Sequence, residues 1–587
     1  MKRFLGLMLI GLILTMSIPA FATGSNVKPV VDVGLVYGSN HQFPLGLNSD
    51  SGFVFGVSEK ENFQALLDLS AYKKVIVYKD GYYDAALKTL VTAMEAYYLN
   101  GQVKGAYHLQ LGEIAASYDA VMPLYLSVIG AYPEAYLVYD DGWRVFYGSW
   151  VSEGEALAKV SEVQSKLVGI KVQTAPVNAT RVLLGSNDKI IFSYDTSETG
   201  TALKTSIFEY NAIKYRGTAI IKRLPNSDFT LINRVTMNEY LYGVLPKEMN
   251  GEWPIEALKA QAVASKNYVL TVGSKHQAYG FDVTATTSDQ VYGGYSAEKP
   301  GSNRAVDAIN GFALSSGGKV IPLYFHSHSG GITDNSENVW SATLPYIKSV
   351  VDPYSYGYPN TDWNVTMMRS EIEARLIVGG YNIGTLKSLH IVERAESGRV
   401  TKMTFEGTLS SATLAKDKIR SVLGSTVIKS LLFSFDASTA VTSPPTVQNN
   451  QSAAPSATVP VASAANEGLP VALRGSAGVY GTFVGGSQIQ ITEAGTVKTV
   501  NVDRDALRRA TDIYVEAGAS TGTYTKPYLY NPTESFDMSA GSVVFYGHGY
   551  GHGLGMSQYG AKKMAELGFT YEEILSFYYK DTQLIEY

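Results

Sequence analysis

The chain has 587 residues, a net charge of −5 at pH 7 and no cysteine. This length predicts about three or four domains and allows a large core to be buried without disulfides. The slightly acidic balance argues against nucleic-acid binding, and the lack of cysteine excludes zinc sites that depend on thiolates.

The N-terminus has the three parts of a secretory signal peptide, residues 1–22. Lys2 and Arg3 form the basic start, residues 4–18 are largely apolar, and a small-x-small cleavage motif ends at Ala22. The apolar run has about 15 residues, whereas a membrane-spanning helix needs about 20. We therefore predict export, cleavage near Ala22 and no membrane span in the mature chain; an uncleaved anchor is the alternative.

Residues 27–100 are predicted to form an N-terminal α+β unit. Short runs of alternating apolar and polar residues between 30 and 54 are broken by Gly and Asn, a pattern typical of strands and turns. Residues 63–70 and 83–98 are predicted as helices.

Segment 103–175 alternates strand and helix patterns. An apolar alternation follows Ala106, and helices are predicted at 117–129 and 153–167. Between the helices, two strand patterns flank an Asp-Gly turn at 141–142, which is a typical hairpin signal. This β-α-β-β-α order resembles the SPOR domain, a small ferredoxin-like module that binds peptidoglycan glycan strands lacking stem peptides. A generic α+β unit is the alternative.

Strands are expected over residues 180–232, with two helices after them. A capping-box pattern, Thr236 to Glu239, begins a short helix that is predicted to end near Val244. Pro254 begins the second helix, because its missing N–H has no cost at the first helical position.

Glu248 lies between those two helices, in a predicted turn. Pro254 disfavours helical geometry just before it, so Glu248, Glu252 and Glu256 would not share one continuous helix face. A poorly solvated carboxylic acid retains its proton nearer neutral pH, as a general acid must. We therefore single out Glu248 as a candidate acid, with a solvated or ion-paired turn residue as the alternative. Its neighbours are largely apolar: Leu245, Pro246, Met249 and Trp253.

Four of the eight histidines fall in two motifs that also contain glycine. His326 and His328 would lie on the same side of a strand, about 7 Å apart. His548 and His552 are separated by glycines that allow backbone to approach a ligand closely. Four extended residues span about 13 Å, too far for one metal ion, so we predict no metal at this pair. Hydrogen bonding to a substrate or to the Glu248 region is predicted, and packing of glycine backbone is the alternative.

The C-terminal part of the chain combines a linker, an insert and a final patterned segment. Residues 441–467 are rich in Pro, Ser, Ala, Val and Asn and almost uncharged, which predicts a flexible linker. Residues 468–535 are predicted as a small β-rich insert. A helix follows at about 557–567, and a second capping box is predicted at 570–573.

Six segments, in order along the chain, resemble the SpoIID/LytB family, named after the stage II sporulation protein D and an amidase-modifier protein of bacterial walls. The resemblance covers about residues 205–435 and 540–587. The six segments are 238–249 (NEYLYGVLPKEM), 253–264 (WPIEALKAQAVA), 290–294 (QVYGG), 325–333 (FHSHSGGIT), 397–400 (SGRV) and 551–561 (GHGLGMSQYGA).

The resemblance implies an α+β fold. We expect a multidomain chain with a mixed, β-rich SpoIID-type core, a few helices, and the small ferredoxin-like SPOR-type domain. The SpoIID/LytB domain would occupy residues 180–440 and resume at 538–587. The linker and the insert must therefore loop out for the last motif to reach Glu248.

Sporulation members of this family are lytic transglycosylases, which cleave peptidoglycan between N-acetylmuramic acid and N-acetylglucosamine and leave a 1,6-anhydro end. The resemblance implies that Glu248 is the catalytic acid and base, acting on strands denuded of stem peptides in wall remodelling or sporulation. One carboxyl group suffices because the sugar's own 6-hydroxyl is the nucleophile, whereas most glycoside hydrolases use two. No cofactor is implied. The predicted substrate-binding residues are Gln290, Tyr292, His326, His328, Ser329, His548, His552, Ser557, Gln558 and Tyr559.

The other branch of the family implies a rival function, a non-enzymatic protein that binds glycan and enhances a cell-wall amidase. A wall-adhesion protein is a third alternative. Some relatives have Cys and His metal ligands just before the 290–294 motif, but residues 283–289 contain neither. We therefore predict no metal, and a secreted protein of the cell wall with glycan strands or an amidase as partners.

Overall fold

In the computed structural model, the described residues are 28–437 and 530–586, with short gaps, together with the backbone of five strands between 472 and 516. The predicted signal peptide and linker lie outside the described residues. The gaps are 39–43, 60, 85–88, 92–96, 100–101, 188, 198–199, 225–228, 274, 341, 356–357 and 359–360.

The described part of the chain contains eleven α-helices, numbered here in chain order. They are α1 Tyr118–Ile129, α2 Glu153–Lys166, α3 Met237–Glu248, α4 Ile255–Thr271, α5 Gly294–Ala297, α6 Pro300–Ala308, α7 Ser336–Val339, α8 Arg369–Val378, α9 Lys418–Leu423, α10 Gln558–Glu566 and α11 Tyr571–Tyr578.

A sheet of 15 strands forms the main body of the protein. The hairpin of Phe53–Glu59 and Asn62–Leu69 joins this sheet by pairing with Thr201–Tyr210. The other strands follow one another across the sheet in the order Val172–Thr174, Tyr107–Ala115, Trp143–Trp150, Tyr136–Tyr139, Lys189–Asp195, Arg181–Ser186, Lys74–Lys79, Leu45–Asn48, Thr201–Tyr210, Ile213–Arg223, Phe229–Thr236, Val30–Val36 and Val283–Thr284.

Smaller sheets complete the described fold, which is mixed, β-rich and multidomain. Five strands fall in the segment predicted as a β-rich insert: Thr496–Asn501, Gln488–Glu493, Tyr480–Phe483, Ala472–Gly475 and Ile513–Glu516. The others are Lys319–Val320, Phe312–Ser316 and Gln583–Glu586; Phe325–His326 and Met556–Ser557; Asp362–Met368, Ser542–His548 and Phe433–Ser434; Ser411–Ala415, Val400–Gly407, Leu386–Arg394 and Glu534–Asp537; Tyr82–Asp84 and Thr89–Val91; and Tyr97–Leu99 and Gln102–Lys104.

Both helices predicted in the N-terminal unit are wrong. Residues 63–70 lie largely in the strand Asn62–Leu69, in which Leu67 and Leu69 are buried and Asp68 between them is exposed. This is the two-residue alternation of a strand, which a short apolar run does not distinguish from a helix. Within the predicted helix 83–98, the described backbone forms short antiparallel strands.

The helices predicted in segment 103–175 are confirmed as α1 and α2. A fourth strand, Val172–Thr174, follows them and pairs with Tyr107–Ala115. The segment does not stand apart from the main body, because Tyr136–Tyr139 pairs in parallel with Lys189–Asp195. The two segments therefore share one continuous sheet.

Both faces of the sheet in this segment are largely buried. One face packs against α1 and α2 through Leu109, Leu111 and Val145, each 0% exposed. On the other face, Arg144 and Gln173 are partly exposed, and five side chains are at most 2% exposed: His108, Gln110, Tyr136, Val138 and Phe146. A ligand of this segment would therefore have to bind elsewhere than on an open sheet face.

A buried ionic network ties this segment to the main sheet. The Arg181 guanidinium donates from Nε to Asp80 Oδ2 over 2.5 Å and from a terminal nitrogen to Asp140 Oδ2 over 2.7 Å. His108 Nε2 lies 2.6 Å from the other Asp80 oxygen. The side chains of Asp80, His108 and Arg181 are fully buried, so the charges of Asp80 and Arg181 depend on these protein partners for solvation.

The capping box predicted at the start of α3 is confirmed. Thr236 Oγ1 accepts the Glu239 N–H at 3.3 Å, and the Glu239 carboxylate accepts the Thr236 N–H at 3.0 Å. The helix does not end near Val244, however. It continues through Pro246, so Glu248 is its last residue rather than part of a turn.

Tertiary packing explains why α3 runs past its proline. Pro246 lies in the last turn, where its missing N–H removes only one intrahelical hydrogen bond. The Met249 N–H closes the helix by donating to the Leu245 carbonyl oxygen over 2.9 Å. Burial of the helix face offsets the lost bond, since Tyr240, Leu241, Val244 and Leu245 are all 0% exposed.

Candidate functional site

Glu248 lies at the C-terminal end of α3 beside a cavity of about 300 Å³. Besides the end of α3 and Tyr268 of α4, three separate parts of the chain line the cavity, represented by Gln290, Phe325 and His552. The short parallel pairing of Phe325–His326 with Met556–Ser557 holds the last two parts together. The glycine-rich C-terminal motif thus reaches the Glu248 side of the cavity, as the family resemblance predicted.

The Glu248 side chain is half-buried and has two protein hydrogen bonds. Burial raises the pKa of the carboxyl group above its usual range, although the Val291 N–H and the Gln558 side-chain amide oppose this by favouring the ionised form. A carboxyl group with these surroundings retains a proton at higher pH and still opens to the cavity. It meets the geometric and electrostatic needs of a general acid.

Gln558 links Glu248 to α4. It is the first residue of α10, whose N-cap is Ser557: the Ser557 hydroxyl accepts the Gly560 N–H at 3.2 Å. The Gln558 side-chain nitrogen also donates to the side-chain amide oxygen (Oε1) of Gln261 over 3.4 Å. Gln558 therefore orients the carboxyl group, and Ser557 orients Gln558.

His552 lines the same cavity as a neutral imidazole. Its Nδ1 accepts the Leu554 N–H at 3.0 Å, and the ring also hydrogen-bonds to the Phe325 backbone. Burial lowers the His552 pKa to about 3. Both ring nitrogens therefore have protein partners, and the ring forms a wall of the cavity rather than a charged group.

His326 and Gln290 each bring one buried nitrogen without a described hydrogen-bond partner. His326 Nδ1 donates to the Leu554 carbonyl oxygen over 3.0 Å, which leaves Nε2 as the unused atom. Gln290 accepts the Tyr240 hydroxyl at 3.1 Å, so its amide nitrogen is left over. Gln290 also lines the cavity. Gln290 therefore retains hydrogen-bonding capacity in the Glu248 cavity, and His326 retains it beside His552, with the two ring centroids 5.6 Å apart.

Several of the predicted contact residues support the site instead of lining the cavity. Tyr292 donates to Asn233 over 2.8 Å, and Ser329 donates to Asp352 over 2.7 Å. His548 Nδ1 lies 2.7 Å from the Asp362 carboxylate. Among the ten predicted substrate-binding residues, the cavity is lined by Gln290 and His552.

An aromatic cluster packs beside the start of α10. The Tyr559 ring stacks on His328 with centroids 4.0 Å apart and meets Trp253 edge-on at 4.8 Å. Lys562 Nζ lies 5.2 Å from the centre of the Trp253 ring. His328 and Tyr559 therefore join α10 to the loop after Glu248, which is a packing role.

Asp289 is a second carboxylate of the cavity that the sequence did not reveal. Tyr268, Lys275 and the Thr284 N–H each donate to it over 2.8 Å. Burial alone would raise its pKa, but these donors lower it to about 2, so Asp289 is ionised at neutral pH. The sequence feature that could have identified Asp289 is its position directly before Gln290 and the 290–294 motif.

No group of three or more His, Cys, Asp or Glu side chains that could hold a metal ion occurs among the described residues. In this cavity, both carboxylate oxygens of Asp289 already have hydrogen-bond partners within the protein.

Gly555 allows the C-terminal motif to approach the Tyr324 backbone. Its φ is +64°, and a Cβ at this position would lie only 2.1 Å from the Tyr324 carbonyl oxygen. Gly541 is a matched control with φ +77° and open space around its Cβ position.

We expect Gly541→Ala to cost about 1 kcal/mol of unfolding free energy and Gly555→Ala about 1–3 kcal/mol more. Denaturant unfolding checks this, and equal costs would contradict the close approach.

The fold and the site define an α+β protein whose helix-terminal carboxyl group faces a cavity closed by a glycine-rich C-terminal segment. Residues 225–315 match the SpoIID family, described as Stage II sporulation protein. Residues 360–449 match a second family, described as a domain of unknown function (DUF8618). The first match places a SpoIID-family domain within this chain, and α3 with Glu248 lies inside that match.

Known relatives agree with this assignment. The chain is 30% identical over 349 residues to the amidase enhancer of Bacillus subtilis, covering 59% of this chain and 40% of that protein. It is 28% identical over 160 residues to stage II sporulation protein D of Bacillus subtilis, covering 25% of this chain and 47% of that protein. An uncharacterized protein of Brachyspira hyodysenteriae is 25% identical over 382 residues, covering 65% and 74%. The chain thus spans less than half the length of the two relatives with named roles.

Proposed function

We propose that this protein is a peptidoglycan lytic transglycosylase with Glu248 as its acid and base. The observation that carries the proposal is a half-buried carboxyl group with a raised pKa at the edge of a cavity of about 300 Å³. Such a group combines access to substrate with a proton that is retained closer to neutral pH. The substrate is the glycan strand, stripped of stem peptides.

The proposed reaction uses one carboxyl group twice. Protonated Glu248 donates its proton to the oxygen that bridges N-acetylmuramic acid and N-acetylglucosamine, and the bond from that oxygen to the muramic acid C1 breaks. The 6-hydroxyl of the same muramic acid then attacks C1 and gives its proton to the Glu248 carboxylate. The product is a 1,6-anhydro end, and the protonated enzyme is restored without a water molecule.

Asp289 supports this reaction electrostatically. Glycosidic cleavage passes through a transition state with positive charge on the sugar ring. An ionised carboxylate in the same cavity stabilises that charge, while Gln558 holds the Glu248 carboxyl group in position.

Digestion of denuded glycan strands tests the proposal, with product masses measured by mass spectrometry. We expect anhydro-ended fragments from the full chain and none from strands incubated without it. Products that carry a reducing end would indicate hydrolysis by water instead. Intact strands would contradict any glycan-cleaving activity.

A second candidate function is enhancement of a cell-wall amidase by a non-enzymatic glycan-binding protein. It is favoured by the relative named amidase enhancer, which matches 59% of this chain. The two functions differ in their products. An enhancer would leave glycan strands intact and speed peptide release by an added wall amidase, and it would do so equally well with Glu248→Gln.

We also propose that residues 103–175 bind glycan in an exported, wall-located protein. In the part of the chain that the structure describes, no helix combines the length and the apolar character needed to cross a bilayer.

Deleting residues 103–175 would disrupt the shared sheet, so hydrogen–deuterium exchange of the whole chain is the better test of glycan binding by this segment. Protection of 103–175 by denuded glycan is expected; protection confined to the Glu248 cavity would contradict binding there.

A further inference from the structure

A second cavity, of about 290 Å³, lies at the opposite end of α3 from Glu248. It is lined by Lys266 of α4, by Asn238 in the first turn of α3, and by Gly311. Since α3 rises about 1.5 Å per residue, its two ends are about 16 Å apart. The second cavity is therefore separate from the proposed catalytic site.

Lys266 is the unusual feature of this cavity. Its side chain belongs to a residue that is only 4% exposed, yet it makes no hydrogen bond or ion pair with any residue in the described ranges. Burial lowers the Lys266 pKa to about 8, so the ammonium form still predominates at neutral pH. A buried cation without a partner is costly, and an anion in the cavity would remove that cost.

The start of α3 provides a second attraction for an anion at the same place. Thr236 Oγ1 caps the Glu239 N–H, but the amides of Met237 and Asn238 have no acceptor within the helix. The partial positive charge of the helix N-terminus adds to these donors. Met237 and Asn238 both line the cavity. The ammonium and the helix terminus therefore face one space.

The other charged groups that line the cavity limit what it accepts. Lys28 is already paired with Asp282, with 2.8 Å between the ammonium nitrogen and a carboxylate oxygen. Glu61 is exposed and disfavours additional negative charge near the opening. A ligand with one anionic group, which can bind beside Lys266, fits these surroundings better than a polyanion.

We propose that this cavity is an anion-binding site for a compact ligand with one carboxylate or phosphate group. The Lys266 ammonium and the first-turn amides of α3 hold the anionic oxygens. The site does not depend on the reaction at Glu248, so failure of either proposal leaves the other intact.

Thermal unfolding of the full chain tests the site with sodium phosphate and sodium acetate as separate probes, at constant ionic strength set by sodium chloride. We expect a saturable rise in Tm with one or both anions, because a ligand of the folded state stabilises it. Lys266→Met should weaken the apparent affinity about tenfold to a hundredfold. Lys222→Met is the matched control, because Lys222 is a half-buried lysine outside the cavity whose pKa is also lowered by burial.

A second measurement, on the wild-type chain, tests the site even if the Lys266→Met variant fails to fold. Reductive methylation with ¹³C-formaldehyde labels the lysines, and NMR follows each dimethylamine signal. The Lys266 signal should titrate near pH 8 and move upward in midpoint when the anion binds. A response to phosphate only, or to acetate only, identifies the anionic group. No saturable response to either probe beyond the chloride control overturns the proposal.

Discussion

Replacing Glu248 with Gln should reduce the release of anhydro-ended fragments from denuded glycan strands by about 10²–10⁴-fold. Glutamine retains the size of the side chain and can still hydrogen-bond to Val291 and Gln558, but it has no proton to donate to the bridging oxygen. The loss should therefore appear in the turnover rate and not in glycan binding. Mass spectrometry of timed digests measures the rate.

Glu252→Gln is the matched control for this substitution. Glu252 lies four residues further along the chain and is exposed. It should retain the wild-type rate. Equal loss of activity in both variants would show that a general disturbance of the loop, and not loss of the acid, explains the effect.

The stability of Glu248→Gln provides an independent check of the raised pKa. Because the fold raises the Glu248 pKa above its unfolded value, ionisation of this group costs stability as the pH rises. The wild type should therefore gain stability relative to the variant as the pH falls from 7 towards 4.5. Denaturant unfolding across this range measures the difference, and parallel curves would contradict the shift.

Replacing Arg181 with Met should lower the unfolding free energy by about 3–5 kcal/mol. The substitution leaves the Asp80 carboxylate, which is fully buried, without its main cation. Burial alone would raise the Asp80 pKa, whereas Arg181 and His108 lower it to about 2 in the intact network. Guanidinium unfolding followed by tryptophan fluorescence reports the loss, because Trp143 lies in the adjoining segment.

The double variant Asp80→Asn/Arg181→Met is the informative control for this network. The double variant leaves no lone charge at position 80, although Asp140 still loses its partner, so it should be less destabilising than Arg181→Met alone. Lys159→Met removes an exposed ion pair with Glu162 on α2 and should leave stability unchanged. A loss of equal size for the exposed pair would contradict the importance of burial.

The same network predicts how stability depends on pH. The folded-state pKa of Asp80 is lowered, so its contribution is present above the unfolded value of 3.8 and is lost as the pH falls through about 2. The loss amounts to about 2 kcal/mol. Acid unfolding of wild type and the double variant should differ by this amount, and identical acid unfolding would contradict the lowered pKa.

Local signals in the sequence predicted local structure well. The capping boxes at Thr236 and Thr570 were both found as predicted, because each depends on residues only three apart. The strands predicted over residues 180–232 were found as well. Structure that depends on residues close together in the sequence can therefore be predicted from local residue patterns.

Long-range pairing explains most of the errors. Val30–Val36 pairs with Phe229–Thr236, about two hundred residues away, and Arg234 holds Asp32 across the same gap. Nothing in a local pattern reveals such partners. The fusion of segment 103–175 with the main sheet was missed for the same reason.

The candidate site was predicted in outline. The motifs around Glu248, Gln290 and His552 were expected to meet, and the structure places all three at one cavity. Their detailed roles were not predictable. His548 and Ser329 have donor and acceptor chemistry suited to a sugar, but the fold uses them for Asp362 and Asp352. A residue type shows what a side chain can do, whereas its burial decides what it does.

The central claim, a retained proton on Glu248, is tested most directly by titrating the carboxyl groups of the chain. Labelling glutamate with ¹³C at the side-chain carboxyl position allows NMR to follow each group, and Glu248→Gln assigns the signal. We predict one signal with a midpoint above 4.5 that is absent from the variant. A Glu248 signal that titrates at or below 4.5 would contradict the account.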